Sequence, residues 1–318
     1  MKKILPYFLF ALFIYLLPVL MAGSYWIHVL VIIGTYVIGA AGVDLVFGFA
    51  GQLSFCQASF FGLGAYASAI LTTTYQVDPI LAMGIGMIFT SLVAYGLGTP
   101  VLRLKGYYLA IATIGFGLII QSLFVTLSQF TGGPDGFRDI VPLKIAGYVF
   151  KSDSQYYYPI WTIAMGILVL TRNIVRSRVG RAMLALRGDD VAASAMGIDI
   201  AKYKVKAFVI SAAYASLAGS LYAHSNRFIS PQIADLSGSV EMIIMMVLGG
   251  TRTVFGVLIG TAIMKSIPEV LESFLDYQMI TRGAILIILL LYMPQGLIGL
   301  AKTVLGRLHG RRALDSGD

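Results

Sequence analysis

Uninterrupted apolar runs of about 20 residues recur along this chain, and a run of that length is what one helix needs to cross the hydrocarbon core of a bilayer. The runs show no strict alternation, which excludes an outer-membrane barrel built from alternating strands of about ten residues. With 58% hydrophobic and only 12% charged residues, the chain carries more apolar surface than one water-soluble core could hide. Spans drawn at about 4–22, 26–47, 49–74, 79–101, 106–128, 157–172, 205–224, 238–251, 254–268 and 279–294 give ten crossings. The expected fold class is all-α: a polytopic transmembrane helical protein, one domain over 1–318. The remaining residues are too few for a separate nucleotide-hydrolysing domain.

Charge placement tests that map. If Lys2 and Lys3 stay in the cytoplasm, ten crossings return the C-terminus to the same side, and 17 of the 23 Lys and Arg residues then fall on inner loops or tails. The other six are Arg138, Lys144, Lys151, Arg227, Lys265 and Arg282. Two loops exceed the usual short connection. The loop 129–156, with Thr131-Gly132-Gly133-Pro134-Asp135-Gly136, is expected outside. The segment 173–204 is expected inside: between Arg172 and Lys206 eight basic residues face three aspartates, a net +5, and Arg181 to Met196 suits a short amphipathic helix. Residues 301–318 form a basic inner tail. The start of the chain has a second reading, because Lys2-Lys3, an apolar run and Ala22-Gly23-Ser24 also fit a secretory signal; a run longer than the usual core of about 7–15 residues favours a retained span. Five spans per half, the first half starting inside and the second outside, is the arrangement of an inverted repeat.

Polar groups inside apolar runs mark the candidate site. Gln52, Ser54, Gln57 and Ser59, bracketed by Gly48, Gly51, Gly62 and Gly64, suggest a broken or tightly packed helix. On a continuous helix Gln52 and Ser59 would share one face, and Ser54 and Gln57 another. Two readings stay open, residues lining a polar path or residues bonding helix to helix. Gly249 to Thr253, followed by Gly256 and Gly260, is a second glycine-interrupted stretch, where a small-xxx-small face points to close helix packing. Asp44 and Glu241 are the acids nearest to span interiors; Asp44 could carry protons in a secondary carrier, though both lie near span ends, where a hydrated structural role is the simpler reading.

Enzyme chemistry finds little support. His28, His224 and His309 are scattered, the metalloprotease and serine-hydrolase motifs are missing, and no Gly-Lys dipeptide exists for a phosphate loop. The single cysteine, Cys56, permits no internal disulfide and no cysteine-based metal site. No metal, cofactor or nucleic acid is expected.

Seven stretches carry a resemblance. GQLSFCQASFFGLGAY at 51–66, RLKGYYLAIATIGFG at 103–117, TGGPDG at 131–136, RSRVGRA at 176–182, AASAMGID at 192–199, ISP at 229–231 and PQGL at 294–297 together resemble, in order, the M-type (LivM-like) permeases of branched-chain amino acid ATP-binding-cassette importers. Cys56 stands where that family usually has glycine, Asp44 where asparagine is frequent, and Val257 where proline is common. These departures leave the solute open, since similar permeases move urea, amides or aromatic acids. The resemblance implies a non-catalytic permease subunit in a bacterial inner membrane. Its partners would be a homologous H-type permease, two ATP-binding subunits and a periplasmic solute-binding protein. It also implies an ATPase-coupling role for Asp189, Asp190, Ala192, Ala193 and Gly197: the aspartates would cap a short helix whose small residues seat in an ATPase cleft, and Gly197 would end it left-handed. The competing reading of this segment is a basic loop lying on anionic lipid. The competing function is a proton-coupled secondary transporter using Asp44.

Overall fold

The computed structural model describes residues 25–270 apart from 105 and 146, together with residues 15, 17 and 18. The expected spans at 4–22 and 279–294, the tail 301–318 and the PQGL stretch therefore lie wholly or mainly outside the described residues. What is described is helical and polytopic. Five helices are long and apolar enough to cross a membrane: α1 (Trp26–Val43), continued by a π-helical turn Asp44–Phe49; α3 (Pro79–Val101); α4 (Tyr107–Thr126); α5 (Asp153–Arg176); and α8 (Ile200–Asn226). At 1.5 Å per residue, 20 residues or more reach about 30 Å, the hydrocarbon thickness. The other helices include the shorter apolar α2 (Gln57–Thr73), α9 (Leu236–Gly249) and α10 (Val254–Val270), and two short helices of the basic segment, α6 (Arg178–Gly188) and α7 (Asp190–Ala195).

Helices α1 and α8 form the centre. The apolar window of α1 is 83% buried and that of α8 61%, against 28% for α3, α4 and α5, whose outer faces show Leu81, Ile88, Leu92, Ile111 and Ile119. Exposed apolar faces of this size are costly against water and costless against hydrocarbon. The long helix α8 packs on α2, α3 and α1, while α5 packs on α1 and α9 pairs with α10. Small residues permit the closest of these approaches. A side chain at Gly64 would run into the Ser216 backbone of α8, and one at Gly219 into the Phe61 carbonyl oxygen of α2. Around this contact Tyr36, Phe61 and Tyr222 stack and edge-pack at ring separations of 5.5 and 5.6 Å. Helix α5 is fixed to α1 by the Trp161 indole N–H, which donates to the Leu30 carbonyl at 3.1 Å.

Loop 129–156 folds onto the end of α8. Gly132, Gly133 and Gly136 all have positive φ, and β1 (Phe137–Arg138) pairs antiparallel with β4 (Phe228–Ile229), while β2 (Lys144–Ile145) pairs with β3 (Tyr148–Val149). His224, fully buried, joins loop and bundle: Nδ1 lies 2.6 Å from the Val141 carbonyl and Nε2 2.8 Å from Ser68 Oγ. A carbonyl only accepts, so Nδ1 carries the proton and Nε2 accepts from the serine hydroxyl.

Two sequence expectations change in detail. The span at 49–74 is not one helix, because residues 50–56 are non-helical between the π turn and α2. The single helix expected over Arg181 to Met196 is two, broken where Asp189 turns extended (φ −159°, ψ 119°) to cap α7. The helix-contact geometry gives a test. Gly64→Val and Gly219→Val should each destabilise the detergent-purified chain by about 3 kcal/mol or more, the upper range for overpacking. Gly84→Ala, with open space around it, should leave the thermal midpoint unchanged or slightly raised.

Candidate functional site

The non-helical strap 50–56 is the unusual feature of the bundle. A chain break inside apolar surroundings must have its backbone groups satisfied by protein, and here three elements contribute, the π turn, α4 and α9. Gly51, at φ +68°, ends the π turn left-handed, and the Gln52 N–H bonds back to the Val46 carbonyl at 2.9 Å. The Phe55 N–H donates to Thr113 Oγ1 of α4 at 3.1 Å. The first turn of α2 has no side-chain cap from Cys56; its Ala58 N–H is met instead by Ser239 Oγ of α9 at 3.0 Å.

The structure brings together three of the four polar residues proposed from sequence. Gln52, Ser54 and Gln57 line one small cavity of about 10 Å³ with Val43, Val46, Phe47 and Phe208, room for roughly one water. Gln57 ties three helices: its Nε2 donates to the carbonyls of Gly39 (α1) and Ser211 (α8), both at 3.2 Å, and its Oε1 accepts from Ser211 Oγ at 2.9 Å. Gln52 Nε2 donates to the Lys204 carbonyl at 3.2 Å, and Ser54 Oγ lies 3.2 Å from Cys56 Sγ. Ser59 is apart from them. It is buried, facing Gly117 of α4, and its hydroxyl finds no partner among the described residues. The helical face shared by Gln52 and Ser59 does not exist, because Gln52 lies on the strap and Ser59 in α2.

The glycines sit at close contacts, Gly62 against side chains and Gly256 and Gly260 against backbone carbonyls. A Cβ at Gly62 would come within 3.0 Å of Ala234 and Phe124, one at Gly256 within 2.6 Å of the Gly249 carbonyl, and one at Gly260 against the Met245 carbonyl. Gly64 makes the α2–α8 contact already described.

The basic segment lies against the strap. Asp189 Oδ1 accepts from the Val191 and Ala192 N–H groups at 2.7 and 3.1 Å, capping α7, and Gly197 ends it at φ +80°. Asp190 pairs with Lys204 at 2.6 Å. Ala193 is buried beneath the turn, Ala192 is exposed, and the prominent apolar groups are Val191, 72% exposed, and Met196, 83% exposed. Ala193 thus packs inward, and the outward face belongs to its neighbours. Arg187, at the end of α6, donates to the Gly48 carbonyl. Burial and the nearby Arg252 push its pKa below the usual arginine value, while Asp44 opposes them.

Asp44 differs from the hydrated role expected for it. It is 1% exposed in the π turn, and its Oδ1 accepts from the Arg252 backbone N–H at 2.8 Å. The other carboxylate oxygen, Oδ2, finds no hydrogen-bond partner among the described residues. Glu241 pairs with Lys265 at 2.9 Å, and the Lys265 ammonium lies 3.6 Å from the Tyr36 ring centroid, at the edge of a cavity of about 200 Å³. Neither Arg187 nor Lys265 was singled out from sequence as a site residue, since a basic residue reveals its partner only when distant elements meet. Among the described residues no group of three or more His, Cys, Asp or Glu gathers as for a metal ion.

Comparisons with known proteins agree with this membrane architecture. The family described as branched-chain amino acid transport system / permease component matches residues 25–291. The high-affinity branched-chain amino acid transport system permease protein LivM of Salmonella typhimurium is 29% identical over 87% of this chain and 72% of its own length. The corresponding LivH protein of the same organism is 28% identical over 83% of this chain and 91% of its own. Among solved structures, PsaBC from Streptococcus pneumoniae in complex with Fab aligns with a TM-score of 0.42 and 13% identity, over 82% of this chain and 89% of that one, below the level from which a shared fold follows. The family match runs through the strap, the basic segment and every described membrane-spanning helix, and the chain belongs to the branched-chain amino acid transport permease family.

Proposed function

We propose that this chain is the path-forming permease subunit of a bacterial inner-membrane ATP-binding-cassette importer for leucine, isoleucine and valine, or a related small polar metabolite. In this reading the chain crosses the membrane ten times with both termini in the cytoplasm, as two inverted halves. ATP is hydrolysed by two partner subunits, a homologous H-type permease completes the path, and a periplasmic binding protein delivers the solute. Relatives named as M-type and H-type permeases both match the chain, which supports a paired permease.

The observation that carries the reading is the basic segment. A short helix framed by the Asp189 cap and the Asp190–Lys204 pair lifts Val191 and Met196, apolar and exposed, away from the spans. A rigid apolar knob on a water-facing loop is costly unless a partner covers it. The solute path runs along the strap past Gln52, Ser54 and Gln57 and on to Ser59 in α2, uncharged groups that suit a zwitterion passing without tight binding. In the single chain the cavity at the strap holds about one water, so passage requires the strap to move, which is the work left to ATP-driven partners.

Two measurements test this. Val191→Asp with Met196→Asp should lower the ATP-binding subunits recovered with the membrane-extracted chain by about tenfold, as expected of central contacts worth more than 1 kcal/mol, at an unchanged level of the chain in the membrane. Unchanged recovery would remove the docking role. Asp44→Asn keeps an oxygen for the Arg252 N–H and should leave leucine uptake within about twofold of wild type, whereas Asp44→Leu should cost about 1–3 kcal/mol of stability. A proton carrier at this position would instead lose uptake in the asparagine variant.

A further inference from the structure

The strap and the basic segment are joined at two points. At the first, the Arg187 guanidinium donates to the Gly48 carbonyl and lies 3.5 Å from that of Phe47. These carbonyls belong to the end of the π turn, where helical partners run out and a cation is favoured by the helix dipole. Beside it the two backbones touch: a Cβ built at Gly51 would sit 3.1–3.3 Å from the Cγ, Cα and Cβ atoms of Arg187. At the second joint, Gln52 Nε2 donates to the Lys204 carbonyl, and the Lys204 ammonium holds Asp190 of α7.

The far side of the π turn is held just as directly. Asp44 accepts from the Arg252 N–H in the turn between α9 and α10, where Arg252 has a positive φ of 63°. A side chain at Gly48 would collide with the Asp44 carboxylate. The turn Asp44–Phe49 is therefore clasped between a carboxylate bonded to the α9–α10 connection and a guanidinium carried by α6. A π turn holds one residue more per turn than its α-helical neighbours and occurs mostly as an isolated irregularity at functional positions.

We propose that Arg187 is the positioning residue that transmits displacement of the α6–α7 segment to the strap, by way of the Gly48 and Phe47 carbonyls, so that partner-driven movement widens the small cavity at Gln52 and Ser54. The inference rests on the reading that α7 meets an ATP-hydrolysing subunit, and adds to it the connection through which hydrolysis becomes transport. Arg187 is not among the residues lining the strap cavity; it reaches that lining only through the Phe47 carbonyl. Its removal is expected to separate the two activities without abolishing assembly.

The test uses the complete importer, purified from its native membrane and reconstituted in liposomes, with radiolabelled leucine as the probe and phosphate release measured in the same vesicles. Arg187→Gln should retain the ATP-binding subunits and at least half of the ATPase rate, while leucine moved per ATP hydrolysed falls by about tenfold, the size of one lost charge-assisted hydrogen bond. Arg187→Lys, which restores a charged donor to the carbonyls, should recover most of that ratio. A ratio unchanged in Arg187→Gln overturns the proposal. So does a parallel fall of uptake and ATPase, which marks a merely structural residue. Should Arg187→Gln prove unstable, Arg187→Met, of similar length but without a donor for the Gly48 carbonyl, carries the test, with the same loss of ratio expected and an unchanged ratio again overturning it. A wild-type chain that retains no ATP-binding subunit overturns the functional reading itself, a result distinct from an unchanged ratio in a complex that assembles.

Discussion

Helices α2 and α8 approach until their backbones touch, at Gly64 against Ser216 and Gly219 against Phe61. The rest of the described bundle is arranged around that contact. In hydrocarbon, apolar side chains gain little by leaving lipid for protein, so close packing and interhelical hydrogen bonds hold helices together. The contact brings Gln57 within reach of Ser211 and the Gly39 carbonyl, ties Ser220 Oγ to the Gly64 carbonyl at 3.0 Å, and lets Ser68 meet His224. Each bond crosses from α2 to α8, or from α2 to α1, which α8 also contacts.

A break in one helix is tolerable only because several others supply its missing partners. The strap 50–56 draws on Thr113 of α4, and α2 beyond it on Ser239 of α9; Gln52 reaches the start of α8, and Arg187 of α6 answers carbonyls of the π turn. Irregular backbone at membrane depth survives where it is buried in protein or lines a cavity, and this strap buries Ala50, Gln52 and Cys56 and lines a small cavity with Gln52 and Ser54. Such a segment is also where a small shift in a neighbour is felt first, because few of its bonds are its own. The same economy explains Asp44, whose carboxylate fastens the α9–α10 turn to the end of α1.

Much of this was legible in the chain itself. Runs of about 20 apolar residues require helices whatever they pack against, and full-length spans stand close to where the runs put them, as at 79–101 and 106–128. Local signals at 189–197 were equally readable: an aspartate before an alanine-rich turn caps it, and a glycine after it takes positive φ, because both effects act within a few residues. The family, too, was legible in short strings along the chain, and the match over 25–291 bears it out.

Other features were decided by tertiary structure. Sequence placed polar residues and glycines at 51–59 but allowed a continuous helix there; the break depends on distant partners, Thr113 at 58 positions from Phe55 and Ser239 at 181 from Ala58 among them. It showed Asp44 without the Arg252 amide and Glu241 without Lys265, and it gave Arg187 no more weight than any other base in a positive loop. The hydrophobic run and the helix cap are properties of neighbours along the chain, so the sequence alone determined the membrane fold class and the turn at 189–197. Which polar groups meet, and which side chain bridges the basic segment to the strap, depends on helices that touch only after they have packed, and only the tertiary structure could decide it.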